Sequence, residues 1–209
     1  MLIGITGCSG SGKSMFVRLL QKHLSTRAHT IFTQDNYYIN RHLQPKDHNG
    51  VHNFDLPESL DLQHYYEDLK KLKEGQPVTQ QRYNYNNPTL PSALIELKPY
   101  GTLITEGLFV FHDPRYLPLF DIKVFIESSQ DVNFARRLYR DETERGYGYE
   151  DVNYRFHEHV MPSYLKYIIP QKAVCDVVID NEANDPHGLD QAAQQFVAEF
   201  IINKKSKSS

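Results

Sequence analysis

GCSGSGKS, residues 7–14, follows the short apolar run Leu2–Thr6 and opens a segment, Lys13–Leu24, whose apolar residues recur at helical spacing. It matches G-x-x-x-x-G-K-[ST] in full, between a predicted strand and a predicted helix. The glycines permit positive φ angles, so successive backbone N–H groups can turn inward around phosphate oxygens. The alternative, a Gly/Ser-rich turn without a ligand, is disfavoured because motif and context agree. The stretch therefore predicts a nucleoside triphosphate site at the start of an α/β fold.

The whole loop is predicted to bind the triphosphate. Its residues are Gly7, Cys8, Ser9, Gly10, Ser11, Gly12, Lys13 and Ser14. In this pattern the lysine reaches the β- and γ-phosphates and the final hydroxyl, of Ser14, holds Mg²⁺. A second metal carboxylate normally follows an apolar strand, and Glu106 directly follows Thr102–Thr105. We predict that Glu106 shares the Mg²⁺; its alternative role is a strand-end carboxylate facing water.

The composition limits the other classes of function. The 209 residues are 40% hydrophobic and 23% charged, which is typical of a globular chain. A net charge of -3 gives no general attraction to nucleic acid or to an anionic membrane, and no apolar run is long enough to span a bilayer. Cys8 and Cys175 cannot build a disulfide framework. The two histidines closest to each other in the sequence are His157 and His159, and we predict that they are surface or packing residues. We expect a cytoplasmic protein without a signal peptide.

Strands and helices alternate along the chain, which predicts a parallel sheet covered on both faces. The predicted strands are Leu2–Thr6, Thr30–Thr33, Thr102–Thr105, Ile122–Ile126 and Val174–Ile179. The predicted helices are Lys13–Leu24, Ser59–Glu74, a segment from Ser128 or Ser129 to Gly146, Glu150–Ile169 and Leu189–Ile202. Two extended stretches within Pro77–Leu97 predict a hairpin. We expect one domain over residues 1–203, followed by a frayed tail, 204–209.

Two polar stretches leave more than one interpretation open. Arg136, Arg137, Arg140 and Arg145 share a predicted helix with acidic residues, which usually indicates a solvated face. A lid over residues 136–149 that brings cations to a transferring phosphoryl group is the functional alternative. Asp35, in TQDNYY, reads alone as a turn residue. It also follows the carboxyl end of the second strand, where open α/β sheets bind ligands, and its neighbours Tyr37 and Tyr38 are predicted pocket walls.

Five stretches, in this order and at these intervals, resemble the uridine kinase branch of the phosphoribulokinase and uridine kinase family. They are GCSGSGKS, QDNYY, FDLPESLD, ITEGLFVF and RRLYRDETERG. The likeness runs from Leu2 to about Asp180. It implies a P-loop fold with a parallel sheet, a lid helix and a small hairpin insertion. It also implies Mg²⁺-dependent transfer of the γ-phosphoryl of ATP, or GTP, to the 5′-hydroxyl of uridine or cytidine, by a homo-oligomer.

The resemblance assigns roles to residues around the acceptor. Asp35 matches the carboxylate that accepts the proton of the 5′-hydroxyl. Asp55 matches the one that binds the ribose hydroxyls, and Phe54 lies beside it in the nucleoside pocket. Tyr83 matches a tyrosine near the base, and Arg137 an arginine that approaches the sugar.

The lid arginines and the departures from the family pattern complete the comparison. Arg140 and Arg145 match arginines that contact phosphates. Pro88, Leu56, Tyr147 and Arg155 depart from the pattern: Pro88 stands where a histidine reads the base, and Arg155 replaces a glutamine of the nucleoside pocket. These changes leave open another small alcohol as acceptor, such as nicotinamide riboside, another nucleoside or pantothenate.

A nucleotide-binding regulator or GTPase is the alternative from a different class. A GTPase usually carries Asn-Lys-x-Asp after a strand. Residues 203–206, NKKS, lack the aspartate and lie in the tail, which disfavours that interpretation.

Overall fold

The computed structural model describes residues 1–25, 27–84, 93–183 and 186–202. Its centre is a parallel sheet of five strands, which confirms the predicted fold class. In chain order the strands of the molecule are β1 Leu2–Gly7, β2 His29–Thr33, β3 Val78–Gln81, β4 Leu94–Leu97, β5 Thr102–Glu106, β6 Ile122–Glu127 and β7 Val177–Asp180. Strands β3 and β4 form a separate antiparallel ladder, the predicted hairpin, and the central sheet has the order β2-β5-β1-β6-β7.

Strand β1 lies in the middle of the sheet and is buried along its whole length. Its side chains alternate between the faces: Leu2 belongs to one apolar cluster, and Ile3 and Ile5 belong to the other. Both faces of a parallel sheet are covered, which is why this strand reads as a continuous apolar run. Gly4 lets Phe111 pack directly against the strand, because a Cβ there would collide with that ring.

The helices cover both faces. They are α1 Lys13–Leu24, α2 Leu62–Lys73, α3 Gln130–Arg145, α4 Tyr149–Arg155, α5 Met161–Ser163 and α6 Pro186–Phe196. α1 and α6 pack on the face of Ile3 and Ile5, and α2 packs on the other face through Tyr65 and Tyr66. Among the described residues, no helix is both long enough and apolar enough to cross a membrane.

The predicted helical region Glu150–Ile169 is confirmed, but its winding changes along its length. α4 passes into a π turn at Phe156–Val160, α5 follows, and a second π turn covers Tyr164–Ile168. A 3-10 turn then runs over Ile169–Val174. That turn is the reason β7 begins at Val177 rather than at Val174.

Two predicted helix boundaries were also wrong. α2 begins after Asp61, whose side chain accepts a hydrogen bond from the backbone N–H of His64, and not at Ser59. The Ser59 hydroxyl instead donates to the carbonyl of Asn53. α6 begins three residues before the predicted Leu189, at Pro186.

Of the two serines offered as the cap of α3, Ser129 is the one that accepts from the backbone, at Val132. The Ser128 hydroxyl donates to the side chain of Asn133 instead. The predicted tail, 204–209, lies outside the described residues.

The loop between β1 and α1 lies so close to α3 that one of its positions accepts only glycine. Gly10 has a φ of +89°, and a Cβ there would collide with the backbone carbonyl of Asn133. Gly50 also has a positive φ, +76°, but a Cβ there would meet nothing within 4 Å. A side chain at Gly50 would therefore introduce backbone strain alone, whereas a side chain at Gly10 would introduce both strain and a steric collision.

We expect Gly50→Ala to lower the melting temperature by about 2–4 °C, since placing a Cβ in the left-handed region costs roughly 1 kcal/mol. Gly10→Ala should lower it by at least twice as much, because the collision with a backbone atom adds to the same strain. Differential scanning calorimetry of both variants measures the difference. Equal shifts would contradict the close docking of the loop on α3.

Candidate active site

A cleft of about 520 Å³ opens at the edge of the sheet where the parallel strands end. It brings together most of the residues selected from the sequence. Those that line it are Ser9, Gly10, Gly12, Lys13, Ser14, Asp35, Phe54, Asp55, Tyr83, Glu106, Arg137, Arg140, Arg145 and Arg155. Gly7, Cys8 and Ser11 are not in its lining.

The lysine of the loop is held over the loop itself. Its Nζ donates to the carbonyl oxygens of Gly7 and Cys8 at 3.0 and 2.9 Å. Burial lowers the pKa of Lys13, and the nearby Glu106 and Asp35 carboxylates act in the opposite direction. The charge is therefore buried at the mouth of the phosphate loop and close to two acids.

Cys8 and Ser11 form the back of the loop. The thiol of Cys8 packs with Phe156 and Val160, and burial raises its pKa to about 12. The carbonyl of Ser11 accepts from Asn181 Nδ2 at 2.8 Å, which ties the loop to the end of β7. Neither residue is in the lining of the cleft, so both support the loop from behind.

Glu106 lies at the end of β5, next to the first turn of α1. Its Oε1 accepts hydrogen bonds from the hydroxyls of Ser14 and Thr33, each at 3.3 Å. Burial, with the Asp35 carboxylate beside it, raises the pKa of Glu106 to about 7, against the effect of Lys13. Among the described residues no three Asp, Glu, His or Cys side chains form a metal cluster. Mg²⁺ suits such a site, because it often takes one or two carboxylates and draws its other ligands from phosphates and water.

Asp55 also lines the cleft, and it is held in place by Arg137. Asp55 is buried, and its Oδ1 lies 3.5 Å from Nη1 of Arg137. The same Nη1 donates to the hydroxyl of Ser9 at 3.0 Å. Arg137 therefore connects Asp55 directly to the phosphate loop.

Three aromatic rings form one wall of the cleft. Tyr38 lies 5.1 Å from Tyr83 and 6.2 Å from Phe54, measured between ring centroids. The backbone N–H of Tyr83 donates to Asn36 Oδ1, which attaches the end of β3 to the loop after β2. Tyr37 was predicted to be a wall as well, and this is wrong. It is buried, and its hydroxyl donates to Asp68 in the core.

Three of the four arginines of α3 converge on one carboxylate that was not selected from the sequence. Asp141 is buried and makes ion pairs with Arg137 at 3.3 Å, Arg140 at 2.9 Å and Arg145 at 3.2 Å. Arg136 points elsewhere and donates to the carbonyl of Ala183. Asp141 lies four residues from both Arg137 and Arg145, so the spacing of ion pairs on one helix face was a usable signal.

The positions that depart from the family pattern divide into three cases. Arg155 and Tyr147 line the cleft, and Leu56 does not. Pro88 lies outside the described residues. Arg155 is held by Asp151 at 2.8 Å and donates to the carbonyl of His52 at 2.9 Å.

A model of the phosphoribulokinase / uridine kinase family matches residues 2–185. This chain belongs to that family. It is 30% identical to a uridine kinase of Oceanobacillus iheyensis, over 94% of this chain and 93% of the relative. It is 31% identical to a uridine kinase of Geobacillus kaustophilus, over 91% of this chain and 90% of the relative.

Solved structures agree with this membership at the level of the fold. A phosphoribulokinase from Rhodobacter spheroides superposes with a TM-score of 0.60 at 16% identity, covering 88% of this chain and 72% of that one. A possible uridine kinase from Bacillus stearothermophilus gives 0.55 at 20% identity, covering 86% and 88%. Its membership of the family makes the chain a kinase, a transferase of phosphoryl groups.

The convergence of three arginines on Asp141 predicts a strong effect of removing its charge. Asp141→Asn should reduce kcat/KM at least about tenfold, a loss of roughly 1.4 kcal/mol, because the guanidinium groups would repel one another and leave their positions. Glu144→Gln is the matched control on the same helix. Glu144 lines the cleft but makes no ion pair among the described residues, so this variant should remain near wild type. Similar kinetics for both variants would rule out this role of Asp141.

The raised pKa of Glu106 predicts release of a proton when Mg²⁺ and nucleotide bind. Near pH 7 part of the free protein carries a proton on Glu106, and a metal ion favours the ionised carboxylate, so binding lowers that pKa. Calorimetric titration with Mg·ADP in two buffers of different ionisation enthalpy should show the release at pH 7 and much less at pH 8.5. Glu106→Gln should show only the proton change of the nucleotide itself. The same release from both proteins would exclude Glu106 as its source.

Proposed function

We propose that the chain transfers the γ-phosphoryl of ATP to the 5′-hydroxyl of a pyrimidine nucleoside, uridine or cytidine. One observation carries the proposal: the phosphate loop, the Asp35 acid and the Asp55 acid share a cleft walled by three aromatic rings. Relatives with about 30% identity over nearly the whole chain are named uridine kinases, which supports the same acceptor here.

The charges of the cleft suit an anionic donor. Its lining contains eight Lys or Arg side chains and six Asp or Glu side chains, whereas the whole chain has a net charge of -3. The backbone of the loop would hold the phosphates, with Lys13 on the β- and γ-phosphates. Ser14 and Glu106 would hold the Mg²⁺, which neutralises charge on those phosphates when bound.

The acceptor would lie between the aromatic wall and the two acids. The fixed carboxylate of Asp55 would accept hydrogen bonds from the ribose 2′- and 3′-hydroxyls, a pairing that suits two adjacent O–H donors. The rings of Tyr38, Phe54 and Tyr83 would pack against the base. This arrangement directs the 5′-hydroxyl toward Asp35 and the phosphate loop.

The chemical step then needs alignment and one proton acceptor. The 5′-oxygen forms a bond to the γ-phosphorus as the bond from that phosphorus to the β,γ-bridging oxygen breaks. Asp35 takes the hydroxyl proton, and ADP leaves. Arg140 and Arg145, held together on α3 by Asp141, would contact the phosphates as the lid closes.

A different acceptor is the second candidate, and it rests on the cations beside the aromatic wall. Arg41 and Arg155 both line the cleft. Arg155 is engaged by Asp151 and the carbonyl of His52, so Arg41, whose charge acts on Tyr83, is the guanidinium that would donate to a carbonyl or carboxyl group. Nicotinamide riboside, another nucleoside or pantothenate would carry such a group.

We also propose, from the family resemblance, that GTP can replace ATP and that the protein acts in pyrimidine salvage as a cytoplasmic homo-oligomer.

The decisive experiment is a coupled assay of ADP release across these acceptors, combined with Asp35→Asn. We expect turnover with uridine and cytidine, and a loss of about 10²–10⁴-fold in kcat for the variant. ATP affinity of the variant, measured by calorimetry, should be unchanged, because Asp35 acts in the transition state. Turnover of another acceptor alone would move the assignment to that acceptor. Near-normal kcat in Asp35→Asn would exclude Asp35 as the base.

A further inference from the structure

The segment that carries Phe54 and Asp55 is a small arm with its own hydrogen bonds. We call residues 44–55 the acceptor arm. Lys46 and His52 form an antiparallel bridge, and the backbone N–H of Asn53 donates to the carbonyl of Pro45 at 2.8 Å. The arm turns back at Asp47, whose carbonyl accepts from Gly50.

The carboxylate at the tip of the arm receives four hydrogen bonds. Asp47 Oδ1 accepts from the backbone N–H groups of Asn49, at 2.9 Å, and Val51, at 2.8 Å. Its Oδ2 accepts from the hydroxyl of Tyr154 at 2.7 Å and lies 2.6 Å from Nε2 of His159. Two donors belong to the arm and two to the helical region after α3.

The donors outside the arm meet because of the π turn. Tyr154 and His159 are five residues apart, a spacing that would separate them by about 140° around an α-helix. A π turn closes hydrogen bonds between residues five apart, and the turn at Phe156–Val160 returns His159 toward the side of Tyr154. Their ring centroids lie 5.7 Å apart.

The electrostatics show which atom donates. Burial alone would raise the pKa of Asp47, but the hydrogen bonds from His159, Tyr154 and the two backbone N–H groups outweigh it and lower that pKa. Asp47 is therefore an ionised acceptor, and Nε2 of His159 carries the hydrogen. The His159 side chain is only 1% exposed, so this contact is shielded from water.

Further contacts attach the arm at its tip and at its base. Asn49 Nδ2 donates to the hydroxyl of Tyr154 at 2.7 Å, and Arg155 donates to the carbonyl of His52. At the base, the backbone carbonyl of Asn53 accepts a hydrogen bond from the Ser59 hydroxyl. The side-chain oxygen of Asn53 accepts another from the backbone N–H of Asp55. The tip is thus connected to Phe54 and Asp55 through a short, hydrogen-bonded segment.

We infer that His159 and Tyr154 are positioning residues for the acceptor: by holding Asp47 they fix the acceptor arm, and with it Phe54 and Asp55, in the geometry that receives the nucleoside. Asp47, Tyr154 and His159 are absent from the lining of the cleft, so they act through the arm and not by touching the substrate. The inference rests on the proposed function. A loosened arm must be ordered when the acceptor binds, which weakens the affinity for the acceptor and leaves the ATP site intact.

Kinetics with uridine and ATP test the inference. Tyr154→Phe removes one hydroxyl, and His159→Leu removes the ring donor while keeping an apolar side chain. Each should raise KM for uridine about tenfold, with KM for ATP and kcat within about threefold of wild type. His159→Gln, which can still donate, should recover part of the loss. His157→Leu, on the same turn but exposed, is the control and should leave all three values unchanged.

Equal increases in both KM values would show general destabilisation and overturn the inference, and unchanged kinetics in Tyr154→Phe and His159→Leu would also overturn it. Amide hydrogen exchange separates this failure from failure of the proposed function, because it needs no turnover. In the ligand-free protein, faster exchange confined to residues 44–55 in Tyr154→Phe and His159→Leu supports the positioning role. Exchange at the wild-type rate in that segment contradicts it, whichever acceptor the enzyme uses.

Discussion

The register of the parallel sheet is the constraint on which the rest of the structure depends. Thr33 lies opposite Glu106, and Glu106 opposite Ile5, two residues before the phosphate loop begins at Gly7. Parallel strands all end at the same edge, so this register brings the hydroxyl, the acid and the loop together. The bonds from Ser14 and Thr33 to Glu106 are the local result. A shift of one residue in β5 would turn Glu106 to the other face of the sheet.

The same edge of the sheet holds three buried ionisable side chains, those of Lys13, Glu106 and Arg137. Lys13 and Glu106 are buried together. Burial lowers the pKa of Lys13 and raises the pKa of Glu106, and both shifts favour the uncharged form. Arg137 instead keeps its charge, because Asp55 and Asp141 raise its pKa despite burial. Among the described residues neither Lys13 nor Glu106 forms an ion pair, whereas Arg137 is paired with both Asp55 and Asp141.

The sequence predicted the parts of the site that local chemistry determines. The phosphate loop and Glu106 follow from their own stretches, whereas Asp55, placed before a Leu-Pro pair, came only from the family resemblance. The role of His159 could not be read from spacing, because the π turn breaks the helical period and Asp47 lies 112 residues away. Tyr37 was misassigned for a similar reason: its partner, Asp68, lies on α2 and draws it into the core. Asp141 had a readable spacing, but in a helix of mixed charge that signal resembles a solvated face.

The two ends of the cleft are built on different supports. The phosphate end is fixed by the sheet and by glycines that tolerate no side chain, such as Gly10. The acceptor end is carried by the acceptor arm, the β3–β4 hairpin and α4, joined by side-chain hydrogen bonds such as those of Arg155 and Asn36. Side-chain bonds can be exchanged one at a time without moving the sheet. The fold therefore constrains the loop between β1 and α1 closely, whereas the contacts beside the aromatic wall can be substituted while the sheet stays in place.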